Sequence, residues 1–264
     1  MLICPLCKTK LLEEPKRFCC MQGHAYDKAK SGYVNLLVGS SSKSHGDEEA
    51  MILSRHRFLS QGHYDPLVDA LLDILRSLKI NSLIDLGCGE GYYTDHLQRA
   101  LKLPVVGIDL SKSALKIASK ANQNIDYVLA NITKTPIEDQ STDAVLSIFS
   151  PFDLKEAQRI SSRYLILVRP NPKHLLQLKE TLYEKILENP LPVTEFPQSL
   201  CILEKEISFM MDLDHDSLND LLMMTPYAHT SPQSGLQKVR ALDHLSILAQ
   251  FHISVFQFLH ASST

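Results

Sequence analysis

The stretch "LIDLGCGEGYYT" (83–94) is a short apolar segment that runs into three closely spaced glycines. The apolar segment predicts a buried strand, and Tyr92 begins a predicted helix. Gly87, Gly89 and Gly91 predict a tight turn that a ligand can approach closely, because glycine adopts dihedral angles that other residues resist. A strand, a glycine turn and a helix in this order indicate an α/β sheet, in which ligands bind at the carboxyl ends of the strands.

The rest of the chain after this turn alternates between short apolar segments and helical ones. The segments that predict buried strands are 104–110, 125–130, 143–149 and 163–168. Buried strands that alternate with helices are typical of a parallel, doubly wound α/β sheet. A long helix is predicted over 169–189, followed by a strand near 200–209, helical segments and a closing strand at 251–259.

Acidic residues surround the glycine turn. Asp85 and Glu90 flank it, and Asp109 ends the second strand, where a carboxylate accepts hydrogen bonds from both ribose hydroxyls of a nucleoside. A dinucleotide site requires G-x-G-x-x-G spacing and a phosphate at the helix N-terminus, and these carboxylates would repel that phosphate. They favour an ammonium or sulfonium, so the pattern predicts S-adenosylmethionine rather than NAD. Asn131, after the third strand, is either an adenine contact or an ordinary turn residue.

The first part of the chain carries a cluster of metal-binding residue types. The stretch "CPLCKTKLLEEPKRFCCMQGH" (4–24) contains four of the six cysteines. Three thiolates and one imidazole bind Zn²⁺ tetrahedrally and leave no position open for catalysis, so the site is predicted to be structural. A segment this short buries too little apolar surface to fold alone, and the metal supplies that energy. The predicted ligands are Cys4, Cys7, His24 and either Cys20 or Cys19.

Charge and composition add a modest constraint. Residues 1–36 carry six basic and three acidic side chains, which leaves 21 basic and 27 acidic ones in the remainder. A basic head on an acidic body suggests an anionic ligand for the head, although a solvated surface is the simpler interpretation. We see neither a secretory signal nor an apolar run of about 18 residues that would cross a membrane, so we expect a cytoplasmic protein.

The segment between the two parts predicts a flexible link followed by two helices. The link is the Gly- and Ser-rich stretch 38–50. Gly62 is predicted to end the first helix, with Asp65 as the N-cap and Pro66 as the first residue of the second. The predicted domains are a zinc-binding domain at 1–36, a linker with helices at 37–80 and an α/β domain at 81–264.

Residues from about 80 to 260 resemble the class I S-adenosylmethionine-dependent methyltransferases, which have a Rossmann-like seven-stranded sheet with an antiparallel last strand. The head and body together resemble the bacterial 23S rRNA (guanine-N1)-methyltransferases of the RlmA type. The stretches that carry this resemblance are "CPLC" (4–7), "CMQGHAYDKAKSGYVNLL" (20–37), "RFLSQGHYDPL" (57–67), "DLGCGEGYYT" (85–94), "NPKHLLQLK" (171–179) and "LLMMTPYAH" (221–229).

This resemblance implies that Cys20, rather than Cys19, is the third thiolate ligand. It implies contacts to S-adenosylmethionine from Tyr64, Gly89, Glu90 and His174, beside Gly87 and Asp109 of the glycine-turn region. It also implies a homodimer that methylates a guanine in a hairpin loop of 23S rRNA, with RNA recognition in the domain at 1–36 and methyl transfer in the domain at 81–264. The sequence does not indicate which guanine.

The chain departs from the family pattern in one turn, and more than one interpretation is possible for the residues near the methyl acceptor. The common "KPGG" before the fifth strand is "SSRY" (161–164) here. Phe149, Pro151 and Phe152 follow the fourth strand, where they either stack on an extruded base or belong to the core. Guanine N1 must lose a proton, and Asp153 and solvent are the candidate acceptors.

Two other functions are compatible with parts of the sequence. A methyltransferase for a small molecule would use the head only as a brace and would act without RNA. A catalytically silent RNA-binding protein would bind RNA and no cofactor, which the intact glycine turn and Asp109 argue against.

Overall fold

The computed structural model describes residues 1–39, 49–186, 188–191 and 195–259. Within these ranges the strands are β1 (Leu11–Glu14), β2 (Arg17–Cys20), β3 (Ala25–Asp27), β4 (Val34–Asn35), β5 (Leu83–Leu86), β6 (Val105–Asp109), β7 (Asp126–Leu129), β8 (Thr142–Ile148), β9 (Ser161–Pro170), β10 (Ser199–Asp214) and β11 (His244–Phe258). The helices are α1 (Glu49–Ser60), α2 (Asp65–Leu78), α3 (Tyr92–Leu101), α4 (Lys112–Ala121), α5 (Leu154–Ile160), α6 (Leu176–Leu182), α7 (His215–Met223), α8 (Tyr227–Thr230) and α9 (Gln233–Arg240). Among the residues described, no helix has the length and apolar character needed to cross a membrane.

The body is organised by an eight-stranded sheet in the order β10-β11-β9-β8-β5-β6-β7-β4. The strands from β4 to β9 pair in parallel, and β11 runs antiparallel to both of its neighbours. Strands β5 to β11 confirm the predicted seven-stranded methyltransferase sheet with its antiparallel last strand. The eighth strand, β4, was not predicted and comes from the N-terminal head.

Apolar residues of the central strands alternate between two cores, one on each face of the sheet. In β9, Ile166 packs with the core that includes α2 and α7, whereas Leu165 and Leu167 pack with the core that includes α5 and the head. Successive side chains of a strand point to opposite faces of the sheet. Because both faces are buried here, the strands appear in the sequence as continuous apolar runs.

The two helices predicted before the glycine turn are present, with one correction at the start of α2. Gly62, at φ 80°, lies just after α1. The N-cap of α2 is Tyr64, without a side-chain capping bond, and Asp65 is the first helical residue. Asp65 instead accepts a hydrogen bond from the Tyr92 hydroxyl and so links α2 to α3. The predicted flexible link at 38–50 lies mostly outside the described residues.

The long helix predicted over 169–189 was wrong, since α6 is the only helix among the described residues of that range. Strand β9 extends to Pro170, and the next residues form a turn in which the Leu175 N–H donates to Leu248 O in β11 at 2.9 Å. Pro170 and Pro172 disfavour a helix at this point because proline has no N–H and restricts the residue before it. The turn keeps residues 171–175 beside the carboxyl end of β9.

The turn before β9 differs from the family pattern because α5 ends at Ile160 and β9 begins at Ser161 without an intervening loop. The Ser161 hydroxyl accepts from the Arg163 and Tyr164 N–H groups at 3.3 and 3.2 Å, and donates to Asp143 O at 3.2 Å. A buried serine therefore makes the connection between α5 and β9 in this chain.

The head is a small antiparallel sheet, β1-β2-β3, with two metal-binding turns. Lys8 and Gly23 have positive φ angles, 62° and 81°, one in each turn. Their N–H groups donate to Cys4 O and Cys20 O, at 2.9 and 3.0 Å. These bonds fold each turn around a cysteine, which brings the two ends of the stretch 4–24 together.

The head also joins the large sheet at two places. The Ile3 N–H donates to Pro136 O at 2.9 Å, and Leu36 N–H donates to Leu129 O at 3.0 Å beyond the β4–β7 pairing. Phe18 of the head and Ile137 of the body belong to the same buried cluster. The division at residue 36 therefore remains a prediction about the sequence, because the two parts share one core in the structure.

Candidate cofactor and metal sites

The glycine turn lies directly after β5, at the carboxyl edge of the sheet. Gly87, Gly89 and Gly91 all have positive φ angles, 79°, 56° and 83°. A Cβ on Gly87 would lie 1.9 Å from Ser150 Oγ, so the loop after β8 closes over that position. At Gly89 the nearest atom to such a Cβ is 3.9 Å away, on Arg55. The turn is therefore packed at one glycine and open at another, as an approaching ligand requires.

Asp109, at the carboxyl end of β6, is tied to this turn. One carboxylate oxygen accepts from the Gly89 N–H at 2.9 Å, and the other accepts from the Ser111 N–H at 2.7 Å. Ser111 in turn caps α4, as predicted, by accepting from the Ala114 N–H at 3.2 Å. A carboxylate oxygen accepts more than one hydrogen bond, which is the property that a ribose-binding acid requires.

Asp85 occupies a different environment from Asp109. Its carboxyl group is fully buried in β5 and accepts a 2.7 Å hydrogen bond from the Thr94 hydroxyl. Burial raises the pKa of Asp85 to about 7, and the nearby Asp109 charge adds to this effect. Asp85 thus links α3 to β5 through Thr94, whereas Asp109 is bonded to the backbone of the turn itself.

Tyr64 and His174 meet on the buried ring of Phe251. Their ring centroids lie 4.9 and 4.7 Å from that of Phe251 and 6.4 Å from each other. His174 Nδ1 accepts from the Gln250 N–H at 3.1 Å, so the ring hydrogen is on Nε2. Burial lowers the pKa of His174 to about 3, which keeps the imidazole neutral. The structure therefore brings together two of the predicted cofactor residues from segments 110 positions apart.

Glu90 is buried beside the turn, and two residues near it were missed by the sequence reasoning. Arg55 Nη1, from α1, lies 3.9 Å from Glu90 Oε2. The Tyr93 hydroxyl is buried and has no hydrogen-bond partner in the described part of the chain. Tyr93 stood in the quoted stretch "GYYT", where the residue type alone did not indicate a role. Arg55 carried no signal, since it precedes the turn by more than thirty residues.

The loop after β8 lines the side of the cleft where a methyl acceptor is expected. Phe149 has a positive φ of 52°, is 41% exposed and packs against Phe251 at 5.2 Å. Phe152 instead packs edge-on against Phe196 at 5.7 Å, with the Arg169 guanidinium over its ring at 5.2 Å. Of the predicted stacking residues, Phe149 is the more accessible ring and Phe152 the more enclosed one.

Two other polar residues predicted near the cofactor have local structural roles. The Asp153 side chain caps α5 by accepting from the Glu156 N–H at 2.9 Å. The Asn131 side chain accepts from the Thr133 N–H and hydroxyl, both at 2.9 Å. These bonds account for both residue types without a ligand.

The four predicted metal-binding side chains converge in the head. Their ligand atoms, from Cys4, Cys7, Cys20 and His24, all lie within 4.8 Å of one another. Cys4 Sγ and Cys20 Sγ lie 3.5 and 3.4 Å from His24 Nδ1, and Cys7 Sγ lies 3.6 Å from Cys20 Sγ. A tetrahedral zinc with Zn–S of about 2.3 Å and Zn–N of about 2.0 Å separates its ligand atoms by roughly 3.5–3.8 Å. The donor set and its spacing therefore fit Zn²⁺.

Hydroxyl groups around the cysteines suit them to a thiolate role. Tyr26 lies 3.2 Å from Cys4 Sγ, and Thr9 lies 3.1 Å from Cys7 Sγ. The Thr9 hydroxyl and its backbone N–H lower the pKa of Cys7 to about 7. Cys19 stands next to Cys20 in β2, and because side chains alternate along a strand it points to the opposite face.

Comparison with known proteins agrees with this two-part organisation. A family model described as a methyltransferase domain matches residues 83–171, and a zinc-ribbon model described as "RlmA, N-terminal" matches residues 2–44. The first contains the glycine turn and Asp109, and the second contains all four converging metal-ligand candidates.

Three curated proteins are similar over most of the chain. A Bacillus subtilis protein, YxjB, provisionally named a 23S rRNA (guanine-N1)-methyltransferase, is 29% identical over 273 residues, which cover 97% of this chain and 96% of that protein. The 23S rRNA (guanine(748)-N(1))-methyltransferase of Streptomyces fradiae is 28% identical, with 90% of each chain covered. A Micromonospora griseorubida protein, also provisionally named a 23S rRNA (guanine-N1)-methyltransferase, is 29% identical with 68% of each covered. This chain therefore joins a zinc ribbon matched by the RlmA N-terminal model to a methyltransferase domain, and it is similar to these 23S rRNA (guanine-N1)-methyltransferases over most of its length.

Proposed function

We propose that this protein transfers a methyl group from S-adenosylmethionine to N1 of a guanine in a hairpin loop of 23S rRNA. The observation that carries the proposal is the pairing, in one packed unit, of an RlmA zinc ribbon with an open cofactor turn. Its relatives with the same two parts are named for guanine-N1 methylation of 23S rRNA.

The cofactor is assigned to the carboxyl edge formed by β5 and β6. S-Adenosylmethionine supplies a methyl group bonded to a positively charged sulfur. Asp109 accepts the ribose hydroxyls, and the open backbone at Gly89 lets the nucleoside approach. Glu90 attracts the ammonium group. Tyr64 and the neutral His174 border the methionine end, and Gly87 keeps the loop after β8 against the turn.

The acceptor base is assigned to the loop after β8. N1 of guanine is hidden in a base pair, so the base must be splayed out of a loop, as in most sequence-specific RNA recognition. Phe149 offers an exposed ring for stacking at the edge of the cleft. The chain mainly positions the two reacting centres, since methyl transfer is an in-line displacement. We assign no general base, because Asp153 is engaged as a helix cap, and solvent is the simplest proton acceptor.

The zinc ribbon is assigned to RNA binding. Its exposed basic side chains without an ion pair among the described residues are Lys8, Lys10, Lys16 and Lys30. Because the ribbon shares a core with the body, a phosphate-binding surface there is held at a fixed distance from the cofactor. We further propose a homodimer in which two heads flank one hairpin, and a cytoplasmic site of action, where rRNA is modified.

The test is incubation of the zinc-loaded protein with labelled S-adenosylmethionine and unmodified 23S rRNA, followed by digestion to nucleosides. Label in N1-methylguanosine supports the proposal, and mapping of the labelled fragment identifies the hairpin. Label in another nucleoside would overturn it. Methyl transfer to small molecules without RNA would favour the alternative enzyme, and RNA binding without cofactor binding would favour a silent binding protein. Light scattering tests the dimer.

A further inference from the structure

The Tyr93 hydroxyl is a buried polar group that lacks a protein partner. Tyr93 is the second residue of α3, directly after the glycine turn. Its hydroxyl is buried and makes no hydrogen bond to any described residue. Its neighbour Tyr92 donates to Asp65, so two adjacent tyrosines of one helix differ in this respect. Buried polar groups in native proteins are nearly always satisfied, and an exception points to a missing ligand or water.

Arg55 and Glu90 place opposite charges beside the same turn. The side chain of Glu90 is only 3% exposed and that of Arg55 is 26% exposed. Their closest N–O distance is 3.9 Å, longer than a hydrogen bond, so the two charged groups lie side by side. Arg55 is also the nearest group to the open side of Gly89. A cation and an anion side by side match the negative and positive groups of a zwitterionic ligand.

Tyr93 belongs to the same cluster as this pair. Burial raises the pKa of Tyr93, the nearby Tyr64, Tyr92 and Glu90 raise it further, and Arg55 opposes them. The phenol therefore stays protonated and is a hydrogen-bond donor. Tyr93 stands three residues after Glu90, in the first turn of the helix that follows the glycine turn.

We propose that Arg55 and Tyr93 bind the carboxylate of the methionine moiety of S-adenosylmethionine, while Glu90 faces its ammonium. This inference rests on the proposed function, since it assigns residues to its cofactor. A guanidinium and a hydroxyl are both donors, as a carboxylate requires, and a charge-assisted bond satisfies the Tyr93 hydroxyl. Helix α1 thereby contributes a residue to cofactor binding, although it lies before the segment matched by the methyltransferase domain model, which begins at residue 83.

The proposal predicts selectivity for the carboxylate itself. Decarboxylated S-adenosylmethionine keeps the nucleoside, the sulfonium and the ammonium but lacks the group that Arg55 and Tyr93 would bind. A hydrogen bond to a charged group corresponds to a change in affinity of about 10- to 100-fold. The wild-type protein is therefore expected to prefer S-adenosylmethionine over the decarboxylated form by at least about 10-fold.

The test is calorimetry of both ligands on the full zinc-loaded chain and on two matched pairs of variants. Tyr93→Phe removes the partnerless hydroxyl, and Tyr92→Phe is its control, since that hydroxyl is bonded to Asp65. Arg55→Gln removes the charge, and Arg57→Gln is its control on the same helix, because Arg57 binds Asp220 of α7 instead.

Tyr93→Phe and Arg55→Gln are expected to lower affinity for S-adenosylmethionine about 10- to 100-fold and to leave affinity for the decarboxylated form unchanged. Arg55→Lys should restore part of the preference.

Several outcomes would overturn the inference. One is a wild-type protein that binds both ligands equally. Another is a loss of affinity for both ligands in Tyr93→Phe or Arg55→Gln, or an equal effect in the control variants, since either would indicate loosened packing. If the wild type methylates 23S rRNA while the variants keep its preference, the inference fails and the proposed function stands. A wild type that binds neither ligand would overturn both.

Discussion

The zinc ribbon and the carboxyl edge of the large sheet are both built from turns, but they gather their residues over very different distances. The four converging metal-ligand candidates lie within residues 4–24. The cofactor site that we propose at the carboxyl edge of the sheet, called the cofactor edge below, uses side chains from α1, the α2 N-cap, the turn after β5, the end of β6 and the segment after β9. A site formed by neighbours along the chain is visible in a sequence, whereas a site formed by the fold is visible only in part.

The two regions also differ in what stabilises them. The ribbon buries few apolar side chains, among them Leu11 and Phe18, and these pack against the body rather than on a core of their own. The cofactor edge is supported by a continuous core on both faces of the sheet. We therefore expect the folding of the ribbon to depend on the free energy of metal binding and on its packing against the body. We expect the affinity for the cofactor to depend on individual hydrogen bonds at the cofactor edge.

Loss of the metal should give the largest effect. Zinc binding supplies about 10–16 kcal/mol in small zinc-folded peptides, so Cys7→Ser should release zinc and unfold β1–β3. Because Phe18 and β4 share the core of the body, the melting temperature of the whole chain should fall as well. Elemental analysis should show about one zinc per wild-type chain, with calorimetric melting of both proteins.

Cys19→Ser is the matched control for that experiment, since Cys19 points away from the four ligand atoms. It should keep the metal and the melting temperature. If Cys7→Ser lost zinc without any change in the melting of the body, the ribbon and the sheet would be independent units, and the shared core would not couple them.

Asp109→Ala should give the next largest effect, on cofactor affinity. Two hydrogen bonds from ribose to a charged acceptor contribute roughly 1.5–3 kcal/mol each, so affinity should fall by at least about 100-fold. Calorimetry with S-adenosylhomocysteine measures this. Asp126→Ala, at the opposite end of the neighbouring strand β7, is the control and should bind normally. Unchanged affinity in Asp109→Ala would remove Asp109 from the site.

Asp85 should affect stability rather than binding, with a defined pH dependence. The pKa of Asp85 is raised from 3.8 to about 7, so between these values the folded state holds a proton that the unfolded state releases. Its contribution to stability is therefore fully present below about pH 4 and declines until about pH 7. Each pH unit in that window corresponds to about 1.4 kcal/mol, which gives at most about 4 kcal/mol.

Asp85→Asn should abolish that decline, so its stability relative to wild type should increase from pH 5 to pH 8. Urea unfolding at the two pH values provides the measurement. Thr94→Val, which removes the hydrogen bond that lowers this pKa, should change the pH dependence in the opposite direction. A wild type and an Asp85→Asn variant with parallel pH profiles would show that Asp85 is ionised in the fold.

The comparison explains what the sequence could and could not predict. Periodicity and glycine spacing predicted the parallel sheet and the turn, because these depend on local chemistry, whereas the antiparallel last strand followed from the resemblance to the class I methyltransferases. The spacing of Cys4, Cys7 and His24 predicted the ribbon for the same reason. The union of β4 with the large sheet was missed, since two residues carry no pattern of their own. The helix expected after β9 was also wrong, because Pro170 and Pro172 disfavour a helix there and the N–H groups of Asn171 and Leu175 donate to β11 instead.

The sequence indicated the residues proposed for the cofactor edge more clearly when they lie close to the turn along the chain. Gly87, Gly89 and Glu90 lie in the motif itself. Tyr64 and His174 followed only from resemblance, and the structure shows that Phe251 brings them together. Arg55 was missed altogether, since nothing near it in the sequence indicates that α1 covers Gly89.

A single lysine of the ribbon should give the smallest effect. Lys8 is exposed in the first metal-binding turn, and it makes no ion pair among the described residues. If it contacts one phosphate, Lys8→Gln should reduce the slope of log affinity for a 23S rRNA hairpin against log salt by about 0.7–0.9. Lys28→Gln is the matched control, because Lys28 is already paired with Glu13 and stacked on Phe18. Its slope should change less.

Affinity for S-adenosylhomocysteine should not change in either variant, because the ribbon contributes no residue to the cofactor edge. Equal slopes for the wild type and Lys8→Gln, from filter binding between 50 and 200 mM salt, would exclude this turn from the RNA surface. The phosphate contacts would then have to come from the other exposed lysines of the ribbon, which are Lys10, Lys16 and Lys30.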